Sequence, residues 1–131
     1  MTQEEKQLLL KDLCTRLLYG VRGLHRGQVH ELFTIDSREV NNACIQVDGY
    51  DAWFSVDTFK PYLRPMSSMT EKERNEYFSL KMQETERVAL AEIYRPEAVS
   101  EIMDWLNVHH FDYRGLIEKG LALEAKEGMY E

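Results

Sequence analysis

Between Asp12 and Glu31 the chain carries no carboxylate, yet Arg16, Arg22, His25, Arg26 and His30 all fall within that window. In an acidic protein this stretch is a candidate anion-binding lip, because each guanidinium offers a rigid fork of donors matched to phosphate or carboxylate. Gly20, Gly23 and Gly27 are expected to keep the backbone accessible there. Tyr19, Tyr50 or Trp53 would stack on a base if the sheet presents them. The plainer alternative is that the arginines pair with acidic side chains elsewhere or stand in solvent. His109-His110-Phe111-Asp112 holds metal-capable side chains, but adjacent residues usually diverge and neither an HExxH nor a Cys/His pattern supports them. Helix-end histidines that meet the last carbonyls are the commoner case, so no metal and no cofactor is expected. There is no G-x-S-x-G, no P-loop and no G-x-G-x-x-G. Ser67-Ser68 is better explained as a helix cap, Cys14 lacks a local activating base, and Glu84/Glu86 sit in a polar helix face. The reading leans away from an enzyme and assigns no catalytic residue.

The background of these residues is ordinary. With 131 residues, 44% hydrophobic and 30% charged, the chain reads as one soluble globular domain. The formal charge of −7 is uneven, with a net of −1 over residues 1–65 and −6 over residues 66–131. An acidic second half argues against general polyanion binding through that half. No apolar run approaches the ~20 residues of a membrane-spanning helix, and Met1-Thr2-Gln3-Glu4-Glu5-Lys6 does not look like a signal peptide. A cytoplasmic location is therefore expected, with Cys14 and Cys44 reduced.

The elements that must position these groups follow from spacing. Thr2 and Glu5 predict a capping box at the start of a helix over Thr2–Leu18. Leu10, Leu13, Cys14, Leu17 and Leu18 predict its buried stripe, with Gln3, Glu4, Lys11 and Asp12 on the wet side. Gly20 is placed to end the helix in a left-handed conformation. Residues 21–57 predict an antiparallel meander of Val21–His25, Gln28–Asp36, Ala43–Asp48 and Ala52–Val56, with turns at Arg26-Gly27, Ser37–Asn42 and Asp48–Asp51. Ala43, Ile45 and Val47 define one buried face, as do Ala52, Phe54 and Val56. In the second strand Val29, Phe33 and Ile35 share a face, but Glu31 interrupts it and Leu32 lies opposite, so its orientation stays open.

The stretch from Thr58 to Glu73 organises the rest. Pro61 and Pro65 lack an amide donor, so neither a helix nor a central strand runs through easily. Phe59, Tyr62, Leu63, Met66 and Met69 give it apolar surface to bury, and Thr70 with Glu73 predicts a second capping box. It reads as a strap fastening a sheet to a helical segment. Residues 70–94 predict either one helix or two with a break in the polar run Gln83–Arg87. Pro96 starts another helix, with Val99, Ile102, Met103 and Leu106 as its stripe and Ala98 and Trp105 on the flank. His109–Gly115 reads as a turn and Leu116–Ala122 as a short helix broken by Gly120. The residues after Leu123 are ordered only if Leu123, Met129 and Tyr130 dock. The expected fold class is α+β: an N-terminal helix, a small antiparallel sheet, then C-terminal helices. An SH3-like open barrel and a two-layer sheet-and-helix sandwich both fit the pattern.

Phe59-Lys60-Pro61-Tyr62-Leu63-Arg64-Pro65-Met66-Ser67-Ser68-Met69-Thr70 resembles a run found in small uncharacterised proteins of gut-bacterial prophages and mobile elements. The leucine-rich first helix is similar too, as are Trp105-Leu106-Asn107, the stretch from His109 to Ile117, and Gly120 to Ala125. The resemblance covers about half the chain, touches residues 21–57 least, and implies a mobile-element setting without implying an activity. The leading expectation is a non-enzymatic protein-interaction module, an accessory protein of a phage or mobile element. Its acidic helical half would suit a basic protein partner, and Tyr77, Phe78 and Trp105 would suit a dimer if exposed. The second expectation, from a different class, is a nucleotide- or nucleic-acid-binding protein using Arg16, Arg22 and Arg26 with the nearby aromatics.

Overall fold

A computed structural model describes residues 1–38, 42–91 and 96–130, with side chains described for all of these except 87–91 and 96–100. Thr2 starts the first helix as its sequence predicts. Its hydroxyl accepts from the Glu5 amide at 3.1 Å, while the Glu5 carboxylate accepts from the Thr2 amide at 2.9 Å. The helix, α1, runs over Gln3–Arg16. Its buried face differs from the predicted stripe: Leu9, Leu10, Asp12, Leu13 and Arg16 face inward, Cys14 is exposed and Leu18 is 90% exposed. Positions 9, 12, 13 and 16 obey the helical rule as well as the predicted set does. Two of the four are charged, so hydropathy alone turns the stripe toward the wrong side. A 3-10 turn, Leu17–Tyr19, continues the helix to Gly20, which takes the expected left-handed conformation at φ 70°.

The meander forms in the predicted order, as β1 (Arg22–His25), β2 (Gln28–Asp36), β3 (Cys44–Val47) and β4 (Phe54–Ser55), each antiparallel to the next. The orientation of β2 that stayed open in the sequence is decided by a bulge. Leu32 pairs with Val47 and Thr34 with Gln46, which leaves Phe33 as the extra residue. Parity switches there, so Leu32 and Ile35 both turn to the core while Phe33 is 69% exposed.

The proline-bearing stretch is itself a strand, β5 (Phe59–Pro65), and not a strap outside the sheet. It pairs antiparallel with β1. It also pairs in parallel with two short strands, β6 (Phe111–Asp112) and β7 (Leu123–Glu124). The sheet is therefore mixed, with seven strands in the order β4-β3-β2-β1-β5-β6 and β7 also on β5; it is open and does not close into a barrel. The prolines fit because they fall where pairing ends. Pro65 is the last residue of β5, and Pro61 sits opposite Gly23 in the final pair of the β1–β5 ladder.

The apolar residues of this stretch are buried as expected, but in two clusters and not in one shared interior. Phe59 and Leu63 are fully buried and join Leu9, Leu13, Val21, Leu32 and Ile45 in the main core between α1 and the sheet. Tyr62 is buried as well, and Met69 packs with Leu106 and Phe111 in a second cluster under the later helices. Leu116, Leu121 and Ala122 return to the main core from turns, where a short helix had been expected. The helix α2 (Glu71–Ala91) is single and unbroken through Gln83–Arg87, and α3 (Pro96–Val108) begins at its proline. Part of the Ser37–Asn42 turn (39–41), residues 92–95 with Ile93 and Tyr94, and the side chains of Val88, Leu90, Ala91, Ala98 and Val99 lie outside what is described. No helix of the described residues is long and apolar enough to cross a membrane.

Candidate functional site

The carboxylate-free window does not form one lip. Arg16 is fully buried, donating from Nε to Asp12 Oδ2 at 2.8 Å and from Nη2 to the Phe111 carbonyl at 2.6 Å. Arg114 donates to the other oxygen of Asp12 at 2.8 Å and to the Tyr113 hydroxyl at 2.9 Å, which in turn donates to Asn107 Oδ1 at 2.9 Å. Both guanidiniums lie over the Tyr113 ring. One buried carboxylate thus serves two cations, and the network ties α1 to the segment after α3. Arg22 also turns away, donating to the Met129 carbonyl at 2.8 Å. The Tyr19 hydroxyl donates to Asp104 at 3.2 Å. Gly20 and Gly23 do not expose backbone as expected. A Cβ on Gly20 would stand 2.9 Å from a Glu31 carboxylate oxygen, and one on Gly23 would meet the Phe59 ring at 2.3 Å.

His25, Arg26, His30 and Tyr50 do converge, at the turn end of the β1–β2 hairpin. His25 and Phe54 rings are 4.4 Å apart, His30 and Tyr50 5.3 Å, Tyr50 and Phe54 5.9 Å, and Arg26 lies 4.6 Å above Phe54. His25 is buried, and burial pushes its pKa down despite a 3.3 Å contact to the Thr58 carbonyl. His30 Nδ1 stands 3.4 Å from Asp48. Tyr50 and Trp53 are each about half exposed. The cluster presents one cation, Arg26, and one half-exposed ring, Tyr50, to solvent, while its histidines are the more buried members. Comparison with family models, curated proteins and solved structures returned no match.

A second surface comes from the helix pair. Glu73 closes the α2 capping box with Thr70 and also takes a bidentate pair from Arg64 of β5, at 2.8 and 2.7 Å. The Arg64 hydrogen bonds, with those from Thr70, hold its carboxyl at about 2 against burial. His109 Nδ1 is 3.5 Å from the same carboxylate. Trp105 stacks between Tyr77 and Phe111, with centroids 5.7 Å away on each side, and its indole donates to Glu76 at 3.3 Å. Thus Glu73, Glu76, Tyr77, Leu80 and Glu84 are the half-buried positions among the described side chains of α2, again at helical spacing. Phe78 and Met82, one turn apart, point elsewhere and are 65% and 52% exposed. The sequence names both as apolar. It did not separate them from Tyr77 and Leu80, because the buried face of α2 includes three glutamates.

Proposed function

We propose that the protein is a non-enzymatic interaction module, an accessory protein of a phage or mobile element, that engages a partner protein through α2. The observation that supports this most is the exposed Phe78/Met82 pair on a 21-residue helix. Such a pair, at i and i+4, has the form of helix-in-groove recognition. Arg74 and Lys81 stand one turn to either side of Phe78, so the groove would have an apolar floor and an acidic rim, in place of the basic partner that the net charge of this half suggests. The mobile-element setting is supported by the sequence resemblance in β5 and in the stretch from Trp105 to Ala125.

The test places a photo-crosslinker at position 85, beside the pair, in the full chain. One specific partner is expected, lost on Phe78→Ser/Met82→Ser with the unfolding midpoint unchanged. Capture that is insensitive to the double variant overturns the reading. A nucleotide- or nucleic-acid-binding role is the second reading, favoured by Arg26 over Phe54 with Tyr50 and Trp53 exposed nearby. Salt-sensitive binding of labelled single-stranded nucleic acid that disappears in Arg26→Ala would favour it.

A further inference from the structure

The β1–β5 ladder stops at Gly23 and Pro61, and the gap beyond it is filled by a side chain. The Tyr130 hydroxyl accepts from the Arg22 amide at 3.0 Å and lies 2.6 Å from the Tyr62 carbonyl, to which it donates. The Arg22 carbonyl is 3.2 Å away. The Tyr130 ring stacks on His110 with centroids 3.6 Å apart and 13° from parallel. The site is therefore a phenol socket: a flat imidazole wall, with a backbone donor and a backbone acceptor from two strands at its floor. Burial pushes the Tyr130 hydroxyl up to about 12 and His110 down to about 4, so both are neutral at ordinary pH.

Two features set Tyr130 apart from an ordinary core side chain. The first is how its segment is held. Main-chain pairing with β5 reaches Ala125, whose amide donates to the Leu63 carbonyl at 2.7 Å. Residues 126–128 are then exposed, and the segment is anchored again by Arg22 on the Met129 carbonyl and by Tyr130 itself. A cleft of about 560 Å³ lies under it, walled on the other side by Arg64, Pro65, Ser68, Thr70 and Glu73. The second is unmet demand. His110 is buried yet its Nδ1 has no hydrogen-bond partner, and the same is true of Nη1 of Arg16, whose charge acts on both His110 and Tyr130. Buried polar atoms in this state are uncommon.

We propose that this socket is a binding site for the tyrosine side chain of a partner peptide, occupied in cis by Tyr130 of the same chain. It shares no residue with the Phe78/Met82 face, so either can fail without the other. A peptide that seats its tyrosine in the socket and extends along the cleft would displace residues 126–130.

The experiment uses full-length Tyr130→Ala and 4-methylphenol, with toluene as the matched probe lacking the hydroxyl. Binding is followed by NMR through the Arg22 amide and its hydrogen exchange. The phenol is expected to bind saturably, at least about tenfold tighter than toluene, and to restore slow exchange at Arg22. Wild-type protein, with its socket filled, should bind it far more weakly. An acetylated Gly-Met-Tyr-Glu peptide should bind the variant, and its Phe counterpart should not. Equal binding of toluene and the phenol, equal binding to wild type, or a Tyr130→Ala chain that does not fold would each overturn the proposal. The last result would make Tyr130 a permanent part of the fold.

Discussion

Arg16 and Arg26 come from the same carboxylate-free stretch and end in opposite surroundings. Arg16 is fully buried between Asp12, the Phe111 carbonyl and the Tyr113 ring. Arg26 sits in a left-handed turn at φ 50°, exposed, with its guanidinium on the Phe54 ring. The difference teaches that a cation's role depends on what folding brings to it. Asp12 lies one helical turn before Arg16, and Phe111 and Arg114 arrive from the other end of the chain. Nothing comparable reaches the hairpin tip. One end of the window has become a structural tie between α1 and β6, and the other stays exposed at the surface.

The largest effect should come from breaking that tie. Arg16→Met leaves Asp12 buried with one cation where it had two, and should cost about 3–5 kcal/mol in urea unfolding. Arg26→Ala should leave the midpoint within error, and equal losses would erase the contrast. Gly23→Ala tests the boundary between the two regions, since the added methyl meets Phe59; overpacking there should cost about 1–3 kcal/mol.

Two pH profiles sharpen the comparison at the Arg16 end. Folding holds His110 at about 4 against an ordinary value of 6.5, through burial first and the Arg16 charge next. The unfolded chain therefore takes up a proton that the folded chain refuses, so stability is full above pH 6.5 and falls as pH drops toward about 4. His110→Asn, which tolerates the positive φ of 61°, should flatten that part of the midpoint-versus-pH curve. Glu73 is held at about 2 against 4.5, so its contribution is present above pH 4.5 and fades toward about 2. Glu73→Gln should remove that lower limb alone. The smallest measurable loss is expected at the solvent end of α1, where Thr2→Ala should cost about 1 kcal/mol through loss of the cap, measured by thermal unfolding.

Much of the fold is legible because its signals are local. The two capping boxes, the left-handed Gly20, the four meander strands and the proline start of α3 each need only neighbours within a few residues. The bulge at Phe33 was visible as a conflict of parity between Leu32 and Ile35, though not as a bulge. Of the candidate site, His25, Arg26, His30 and Tyr50 do gather, while Arg16, Arg22 and Tyr19 go to other partners. The buried face of α1 was misjudged and that of α2 was not assigned, because both place charged side chains inward, and hydropathy cannot tell a carboxylate with a waiting cation from one in water.

By itself, then, the amino-acid sequence determined where helices start, where the chain turns and which strands alternate, because those choices are settled by hydrogen bonds and sterics over a few residues. Only the tertiary structure decided that the proline stretch is a strand inside a mixed sheet, that Asp12 and Arg16 are core residues, and that Tyr130 fills the gap beyond Pro61. Each of these depends on groups 30 to 110 residues apart meeting in space, and neither propensity nor periodicity carries information about such pairings.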